Sequence, residues 1–514
     1  MRIRKGTLFT CLGAVAIAAT GLTSTAAYAQ NENAERRQAV IDYWTAERRA
    51  AAEPRDLRID HRGLGYLRRA DGSLTPYGHQ VAAANNGRPT TNAKPVDDTE
   101  PPQISNLDPA ANDTIGDSHT FSATVTDNVG LRSVTFLITY PSGTTDSFAA
   151  SNTGGDTWST TLSGFTDGDW SWQVEATDTG KRGGNTAVSA NTPFTVSGGG
   201  TGNGDTVINA QWTGGGDIQL SAGRLFYEMP SNPRRKRWAG YVCSGTVITD
   251  GATGRSVILT ASHCVYDDAN SSFARNVLFI PDQAGTTGSG TDSNCSNDPI
   301  GCWVAAYGVV DVNWTTSTFP DNIPWDYGFY VVDDDPSSHS PGLNASSDTL
   351  DVATPQFTID FSAPSVDDGI AGAASPDFTH GMGYSYSDDP NFMFCAEDMT
   401  TEGTDNWWIP SCGLSGGSSG GPWIQPMGNG AGPVISVNSW GYTTSPGMAG
   451  PKLNGTSAFC VYDAAANTTT FLVNPADGDA GYAITCNSAF SSFRQQGARG
   501  IRGRFFRSGN VVAA

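Results

Sequence analysis

The sequence Gly-Leu-Ser-Gly-Gly-Ser-Ser-Gly-Gly-Pro-Trp, at residues 413–423, decides how the rest of the chain is interpreted. Its glycines permit backbone conformations that other residues avoid, so it predicts a tight turn that exposes a serine hydroxyl. They also let backbone N–H groups converge where a carbonyl oxygen becomes anionic. Two other interpretations fit the same letters. Residues 417–421 match the Gly-x-Ser-x-Gly elbow of the α/β-hydrolases, and Gly/Ser-rich runs are often flexible linkers.

The positions of the histidines exclude the elbow. In α/β-hydrolases the catalytic histidine follows the serine along the chain. All six histidines of this chain precede Ser419, and the last of them is His380. The linker interpretation fits another stretch better: residues 197–204 are Ser-Gly-Gly-Gly-Thr-Gly-Asn-Gly, with no apolar anchor. Residues 413–423, in contrast, follow Cys412 and end in Pro422-Trp423, which Ile424 follows. These neighbours are typical of a folded segment.

His263 supplies the kind of base that a serine nucleophile needs. It lies in Ile-Leu-Thr-Ala-Ser-His-Cys-Val, residues 258–265, a β-run that ends in small residues. A bridge between Cys264 and Cys243 would hold this strand end against its neighbour. His339 and His380 lie in Ser/Pro-rich and Asp/Gly-rich stretches, which favours solvated loop positions for both.

Four motifs together carry a family resemblance. Thr260-Ala-Ser-His-Cys and Gly417-Ser-Ser-Gly-Gly-Pro resemble the two signature motifs of the trypsin/chymotrypsin-like serine peptidases. Between them, Trp325-Asp-Tyr-Gly-Phe-Tyr-Val-Val resembles the family's segment in which an aspartate opens a buried strand. After the serine, Ser439-Trp-Gly resembles the strand that pairs with the substrate backbone. The motifs occur in the family's order, the resemblance covers residues 206–488, and its details are closest to bacterial secreted members.

The resemblance implies a role for each matching residue. Ser419 would attack a substrate carbonyl, His263 would take its proton and return it to the leaving amine, and Asp326 would orient His263. The family pattern places the nucleophile directly before Gly-Gly-Pro, which favours Ser419 over Ser418. The implied oxyanion hole consists of the backbone N–H groups of Gly417 and Ser419. The implied substrate-binding positions are Gly413, Ser439, Trp440 and Gly441. Asp311 and residues 333–335 compete with Asp326 for the orienting role.

The sequence leaves the substrate preference open. Gly413 stands six residues before the nucleophile, where trypsin-like members carry an aspartate that selects Lys or Arg. Basic specificity therefore has no support from this motif. Asn438 stands where glutamate-specific relatives have a histidine, which favours an apolar pocket. Acidic residues between 397 and 405 could enter the pocket by another route.

The activation site is also open, because the family's Ile-Val-Gly-Gly amino terminus is absent. Val207 and Ile218 are candidates for a new terminus after cleavage. Residues 234–237, Arg-Arg-Lys-Arg, resemble a processing site, but they lie between two predicted strands and shortly before Cys243. An exposed basic hairpin loop is the favoured interpretation.

The N-terminus predicts secretion. A basic start, an apolar run over residues 8–22 and Ala-Tyr-Ala at 27–29 form a signal peptide, residues 1–29. No later stretch has about 18 unbroken apolar residues, so no membrane span is expected after signal removal. The formal net charge of −21 disfavours nucleic acid and anionic membranes as partners. We expect a secreted monomer, extracellular or periplasmic, that acts on protein or peptide substrates.

The cysteines indicate disulfides in the C-terminal half. Apart from Cys11 in the signal peptide, eight cysteines lie after residue 240, an even number in an exported chain. Sequence-near pairing is the simplest arrangement. It would join Cys243 to Cys264, Cys295 to Cys302, Cys395 to Cys412 and Cys460 to Cys486. No metal or cofactor is expected, since paired Cys-x-x-Cys units are absent and the scattered aspartates, although compatible with structural Ca²⁺, are typical of solvated turns.

Residues 99–196 predict a separate β-domain without cysteines. Alternating strand-like runs are separated by turn signals, a pattern typical of an antiparallel sandwich. The opening Asp-Thr-Glu-Pro-Pro-Gln-Ile and a Val-Thr-Asp-Asn-Val-Gly element resemble bacterial immunoglobulin-like accessory modules. The predicted strands are residues 120–126, 131–140, 157–162, 169–177 and 192–196.

Residues 30–98 resemble the pro-segment of a secreted protease followed by a linker. Residues 33–52 are rich in helix formers and predict an amphipathic helix that ends before Pro54. Residues 58–79 have the composition of a loop. A mature N-terminal helix docked on the surface is the alternative. Two further segments complete the chain, a Gly-rich linker over 197–205 and a basic tail over 489–514.

Together these features predict an all-β protein. A chymotrypsin-like double β-barrel over residues 206–488 would follow an immunoglobulin-like β-sandwich and a short helical N-terminal segment. The expected function is a secreted serine endopeptidase, made as a zymogen, that works through a Ser-His-Asp triad and an acyl-enzyme intermediate. The alternative is a catalytically silent protein that uses a protease fold for binding or adhesion.

Overall fold

The structure is a computed structural model. It describes residues 34–60, 63–78, 99–115, 118–139, 145–163, 168–179, 184–196, 205–231, 237–251, 254–334, 339–343, 349–367, 370, 372–443, 446–467 and 480–486. The predicted signal peptide, almost all of the linker at 197–205, the core of the basic stretch at 234–237 and the basic tail lie outside the described residues.

The described chain consists mainly of β-strands, which confirms the predicted all-β class. Its strands form six sheets within the described ranges. Ten strands make one large sheet, and sheets of seven and five strands complete the C-terminal region together with a two-stranded pair. Sheets of four and six strands belong to the middle region.

The N-terminal segment, defined here as residues 34–78, contains both helices and strands. Its elements are α1 (34–43), α2 (Ala46–Ala51), β1 (Glu53–Pro54), β2 (Asp56–Ile59), β3 (Gly65–Arg68) and β4 (Leu74–Pro76). The single helix predicted over 33–52 is therefore two helices. The interruption is at Trp44, whose indole is buried and donates a hydrogen bond to the Asn276 carbonyl at 2.6 Å.

The middle region, residues 99–196, has its own core. Both of its sheets contribute to one buried cluster that includes Phe121, Phe136 and Trp172. The sheet orders are β10-β11-β7-β5 and β6-β14-β12-β8-β9, and β13 pairs with β12. The strands are β5 (Gln103–Asp108), β6 (Thr114–Ile115), β7 (Ser118–Thr126), β8 (Leu131–Thr139), β9 (Thr145–Ala149), β10 (Ser151–Gly154), β11 (Thr157–Ser163), β12 (Gly168–Asp178), β13 (Thr186–Val188) and β14 (Thr192–Val196).

The C-terminal region contains short strands and few helices. Its strands are β15 (Val207–Gln211), β16 (Ala222–Pro230), β17 (Trp238–Ile248), β18 (Arg255–Thr260), β19 (Tyr266–Asp267), β20 (Ser272–Phe273), β21 (Arg275–Pro281), β22 (Gly301–Val304), β23 (Tyr307–Asp311), β24 (Gly328–Asp333), β25 (His339–Pro341), β26 (Phe378–Gly383), β27 (Met393–Asp398), β28 (Thr400–Glu402), β29 (Asn406–Ile409), β30 (Pro422–Ile424), β31 (Val434–Val437), β32 (Trp440–Tyr442), β33 (Met448–Pro451) and β34 (Ala480–Ile484). Its helices are α3 (Asp217–Ser221), α4 (Val312–Thr316), α5 (Leu350–Ala353) and α6 (Ala458–Asn467), with 3-10 turns at Ser262–Cys264, Gln283–Gly285, Cys295–Asn297, Ile323–Trp325 and Tyr386–Asp388.

The sheets of the C-terminal region include strands of the N-terminal segment. The ten-stranded sheet has the order β25-β22-β21-β16-β17-β18-β24-β23-β34, and β1 pairs with β17. The seven-stranded sheet has the order β28-β29-β33-β32-β2-β3-β4, so three of its strands come from before residue 80. The five-stranded sheet has the order β15-β27-β26-β30-β31.

The prediction of a loop over residues 58–79 is wrong for much of that stretch, because the stretch contains the strands β3 and β4. β3 forms antiparallel pairs with β2 on one side and with β4 on the other. The local composition predicted a loop because these short strands extend a sheet through β2, and the other neighbour of β2 is β32, from a remote part of the chain.

Two histidines expected in solvated loops also lie on strands. His380 is on β26 and packs against Phe394, with the ring centroids 6.1 Å apart. His339 is on β25 and stacks on Trp303 at 4.1 Å. Burial lowers the pKa of His380 to about 4, so this side chain is neutral near pH 7.

Four disulfides cross-link the C-terminal region, and they join the sequence-near pairs. The bonds are Cys243–Cys264, Cys295–Cys302, Cys395–Cys412 and Cys460–Cys486. Among the described helices, none combines the length and apolar character needed to cross a membrane.

Candidate active site

His263 is held at the end of a fully buried strand. It follows β18, which pairs with β17 on one side and β24 on the other, and it sits in the turn Ser262–Cys264. Its side chain is completely buried. The neighbouring Cys264 is bonded to Cys243 on β17, so the histidine backbone is fixed to two adjacent strands.

Asp326 contacts His263 through both carboxylate oxygens. Its Oδ1 accepts the His263 backbone N–H at 2.8 Å, and its Oδ2 lies 2.7 Å from His263 Nδ1. The Ser439 hydroxyl donates to the same Oδ2. A carboxylate with these donors keeps Nδ1 protonated and leaves Nε2 as the basic nitrogen of the ring. Asp326 is fully buried, so these hydrogen bonds replace water in stabilising its negative charge.

The competing aspartates are engaged elsewhere. Asp311 caps α4, with Oδ1 accepting the Asn313 backbone N–H at 2.7 Å. Asp333 forms an ion pair with Arg37 at 2.9 Å. Asp335 lies outside the described residues.

Ser262 is a positioning residue that the sequence interpretation did not single out. Its hydroxyl lies 2.9 Å from the Trp325 carbonyl and 2.7 Å from the Tyr327 carbonyl, on either side of Asp326. It therefore joins the histidine turn to the aspartate segment. The available signal was its place in the Ala-Ser-His-Cys motif, where a small hydroxyl residue precedes the histidine.

The serine turn needs glycine at two positions. Gly417 has φ +94° and Gly420 has φ +78°, conformations that other residues rarely adopt. A Cβ atom on Gly420 would lie 2.1 Å from the Thr260 hydroxyl and 2.8 Å from the Ala261 nitrogen. The turn is thus packed directly against the strand end that leads to His263.

Ser244 is a second positioning residue that the sequence interpretation missed. Its backbone N–H donates to the Ser419 carbonyl at 2.7 Å, and its hydroxyl donates to the Gly417 carbonyl at 2.9 Å. The Tyr384 N–H donates in turn to the Ser244 hydroxyl at 2.8 Å. These bonds fix the peptide units 417–418 and 419–420, which lie on either side of the Ser418–Ser419 pair. The Cys-Ser-Gly sequence beside the disulfide was the only local signal for this residue.

The two serines of the turn have different surroundings. The Ser418 hydroxyl donates to the Ser415 carbonyl at 2.8 Å and stabilises the turn itself. The Ser419 hydroxyl donates instead to the carbonyl of Arg55, in the N-terminal segment, at 3.5 Å. His263 Nε2 is buried and has no hydrogen-bond partner among the described residues. The structure therefore joins His263 to Asp326, while the Ser419 hydroxyl is directed at the N-terminal segment.

The predicted oxyanion-hole groups belong to this turn. For the described residues, the backbone hydrogen bonds outside helices and strands include none donated by the N–H groups of Gly417 or Ser419. Arg224 supports the loop opposite, since its guanidinium donates to the Tyr384 carbonyl at 2.9 Å and pairs with Asp389 at 2.9 Å.

One of the predicted substrate positions, Gly413, borders a cavity of about 420 Å³. Gly413 lines it together with Leu414, Tyr442 and Gly447, and Arg58 and Arg68 of the N-terminal segment line it as well. Trp440 and Gly441 lie on β32 opposite Leu57 and Arg58. Ser439 differs from the others because its hydroxyl binds Asp326.

Asn438 does not supply a polar group to this cavity. Its amide donates to the carbonyls of Met382 and Ser418, and its Oδ1 accepts the Trp423 indole N–H. Its side chain stabilises the serine turn from below.

Two side-chain groups of the described residues are close enough together to hold a metal, Cys243/His263/Cys264 and Cys295/Asp298/Cys302. Each contains a disulfide. Disulfide sulfurs are not the thiolates that metals bind, so neither group fits a metal.

The similarities of this chain to known proteins come from solved structures. No protein-family model and no curated protein matches the chain. Among solved structures, the chain is similar to a thermostable serine protease, AL20, from an extremophilic microorganism, with 25% identity over 49% of this chain and 99% of that chain and a TM-score of 0.37. It is also similar to fibronectin(III)-like modules of Clostridium thermocellum CbhA, with 23% identity over 19% of this chain and 97% of that chain and a TM-score of 0.15. A third similarity is to the endo-β-1,4-mannanase from Thermotoga petrophila, with 16% identity over 20% of each chain and a TM-score of 0.16.

Proposed function

We propose that this chain is the precursor of a secreted serine endopeptidase in which Ser419, His263 and Asp326 form the catalytic triad. The observation that carries the proposal is the buried His263–Asp326 pair, with both carboxylate oxygens engaged, next to a serine turn that packs against the strand end leading to His263. A nucleophile, a base and an orienting acid are the groups that acyl transfer requires.

The first half of the reaction forms an acyl-enzyme. The Ser419 oxygen attacks the carbonyl carbon of the scissile peptide bond, and its proton passes to His263 Nε2. The carbonyl oxygen becomes anionic and accepts hydrogen bonds from the N–H groups of Gly417 and Ser419, each worth on the order of 3 kcal/mol. His263 then protonates the leaving amine, and the C–N bond breaks.

The second half releases the acyl group by hydrolysis. A water molecule gives a proton to His263 and attacks the ester carbonyl. The Ser419 oxygen leaves and regains its proton from His263. Asp326 remains ionised and stabilises the imidazolium that forms in each half.

This chemistry requires the N-terminal segment to leave first. The Ser419 hydroxyl is 3.5 Å from the Arg55 carbonyl and has to turn to His263 Nε2 before it can be activated. We therefore assign residues 30–98 to a pro-segment and linker, residues 99–196 to an immunoglobulin-like accessory domain, and residues 206–488 to the catalytic domain. The four disulfides support an oxidising, extracytoplasmic location for the mature protein.

The test is hydrolysis of casein by the secreted protein after its N-terminal segment has been removed. Ser419→Ala is expected to lower the rate at least 10³-fold, because the nucleophile is lost. Ser418→Ala is the matched comparison and is expected to retain measurable hydrolysis. If Ser419→Ala hydrolyses casein as fast as the parent, the proposal is wrong.

The occupied cleft favours one alternative, a silent protein that uses the protease fold for binding. It predicts that removal of the N-terminal segment exposes the cleft without producing hydrolysis. The casein assay on the processed parent therefore separates the two functions.

A further inference from the structure

The cleft above Ser419 contains residues 53–59 in extended conformation. β1 lies on one side and pairs with β17, with Glu53 opposite Tyr241 and Pro54 opposite Val242. β2 lies on the other side and pairs with β32, with Leu57 opposite Trp440. The stretch thus crosses from one sheet to the other directly over the nucleophile.

Both pairings are parallel. The direction matters because the catalytic groups are fixed: the leaving nitrogen of a substrate has to face His263 Nε2 while the carbonyl oxygen faces the Gly417 and Ser419 N–H groups. If the direction of a peptide is reversed, the nitrogen and the Cα on either side of each carbonyl carbon exchange places. A peptide can therefore be cleaved in only one of the two directions. Here the Arg55 oxygen faces the Ser419 hydroxyl, which is a donor–acceptor contact and not the approach of a nucleophile to a carbon.

Arg55 is the residue at the crossing point, and its side chain is almost completely buried. Its guanidinium lies 3.6 Å from Asp267 and donates to the Tyr77 hydroxyl. The ring centroids of Tyr77 and Tyr241 are 5.1 and 5.8 Å from its central carbon. A cation in such a place requires a partner of opposite charge, since burial of an unpaired charge is costly.

The pocket around Arg55 is mostly supplied by the C-terminal region. Asp267 is kept in place by Asn270, whose side-chain amide and backbone N–H donate at 2.9 and 3.2 Å. Asp268 accepts the Phe319 N–H at 2.9 Å and the Asn322 amide at 3.1 Å. These bonds hold two carboxylates at the pocket whether or not Arg55 is present. The negative charge of the two carboxylates makes the pocket selective for a cation.

The other charges of the stretch are neutralised within the N-terminal segment. Asp56 accepts hydrogen bonds from Arg58 and Arg68, both at 2.8 Å. Asp56 and Arg58 lie against Gly416 and Gly441, on either side of the cleft. Arg55 is therefore the side chain of residues 53–59 that carries its charge to a carboxylate of the C-terminal region.

We propose that the cleft between β17 and β32 is a binding site for an extended, arginine-bearing peptide, that Asp267 selects its guanidinium, and that residues 53–59 fill the site as a built-in inhibitor. The inference rests on the proposed function, because it gives the same cleft its ligand class. It predicts that the unprocessed chain is latent and that a peptide of this sequence inhibits the processed protein in trans.

The first test uses the full unprocessed chain and a serine-directed phosphonate. Arg55→Ala is expected to increase the labelling rate at least tenfold, and Asp267→Asn is expected to act in the same direction. Arg48→Ala is the matched control, because Arg48 is an exposed arginine of the same segment that donates to Tyr43. Equal labelling rates in the parent and Arg55→Ala would overturn the inference.

A second test does not depend on catalysis. Hydrogen exchange is measured on the full chain carrying Ser419→Ala, with and without Arg55→Met, which keeps most of the side-chain volume. Amides of residues 440–443 should exchange at least tenfold faster with Arg55→Met, while those of the middle region should not change and thereby report intact folding. Unchanged exchange at residues 440–443 would overturn the inference even if the chain proves to be a silent binding protein.

A third test examines the ligand directly. A synthetic peptide of residues 50–60 is added to the processed protein carrying Ser419→Ala, and its binding is measured by calorimetry. The same peptide with alanine in place of Arg55 should bind at least tenfold more weakly, and Asp267→Asn in the protein should remove that difference. Equal binding of the two peptides to the parent pocket would contradict the selection of a guanidinium. If binding is as expected but the processed parent does not hydrolyse casein, the proposed function fails and the binding site remains.

Discussion

The N-terminal segment and the middle region both precede the proposed catalytic residues in the sequence, yet they are stabilised in different ways. The middle region buries Phe121, Phe136 and Trp172 in a cluster made only of its own residues. In the N-terminal segment, Leu57 and Ile59 belong to the main core of the C-terminal region, and Trp44 belongs to a cluster that includes residues of β16 and β21.

This difference indicates what each part can do. A part with its own core can keep its structure when the rest of the chain changes. A segment whose apolar side chains and strand edges are completed by another region is ordered only while it is bound there. The N-terminal segment is therefore suited to a temporary role, and its contacts with the cleft define that role.

The largest expected effect concerns the site that the N-terminal segment covers. Asp326→Asn should lower the rate of peptide hydrolysis by about 10⁴-fold, because the histidine loses its orienting charge and its required tautomer. Stopped assays of the processed protein on casein measure this. A rate within tenfold of the parent would place the orienting acid elsewhere, for example at Asp311.

A second prediction tests the independence of the middle region. Trp172 is fully buried between Phe121 and Phe136, with ring centroids 5.0 and 5.1 Å away. Trp172→Ala should destabilise this region by about 3–5 kcal/mol and leave casein hydrolysis unchanged. Calorimetry should show one transition at a lower temperature and the other unshifted. If both transitions shift together, the two regions share a folding unit and the comparison is wrong.

The smallest expected effect is a dependence of the free energy of unfolding on pH. It is caused by Asp298 of the C-terminal region, which lies near Arg49 of the N-terminal segment. Burial raises the pKa of Asp298 from its ordinary value of 3.8 to about 7, and the nearby Arg49 opposes the shift. The folded protein therefore binds more protons than the unfolded chain between pH 4 and 7. Its free energy of unfolding should fall as pH rises through this range, by at most about 1.4 kcal/mol per pH unit.

Asp298→Asn should remove this contribution. Urea unfolding at pH 4, 5, 6 and 7 compares the slopes of parent and variant. The same slope in both proteins would show that Asp298 is not the responsible group.

The sequence predicted the two parts to different extents. Five strands of the middle region, β7, β8, β11, β12 and β14, were predicted from alternation of apolar and polar residues, which is a local pattern. β8, for example, alternates buried and less buried residues from Val134 to Thr139. The strand β2 reads Asp-Leu-Arg-Ile and is buried at all four positions. Its charged side chains are buried because they pair with each other and with Arg68, and no local pattern contains that information.

The residues of the candidate site also differ in how far the sequence predicted them. His263, Asp326 and Ser419 could be nominated from short motifs, because the chemistry requires particular residue types in a fixed order. The hydroxyls of Ser262 and Ser244 and the carbonyl of Arg55 reach the site through tertiary contacts. Their importance depends on distances between segments that are remote in the sequence.

The most direct test of the central claim is the location of a phosphonate adduct. The processed protein is treated with a serine-directed phosphonate and digested, and the adduct is mapped by mass spectrometry. We expect one modified residue, Ser419, and no adduct in Ser419→Ala. An adduct on Ser418 or on a serine outside the turn, or equal labelling of Ser419→Ala, would contradict the assignment of Ser419 as the nucleophile.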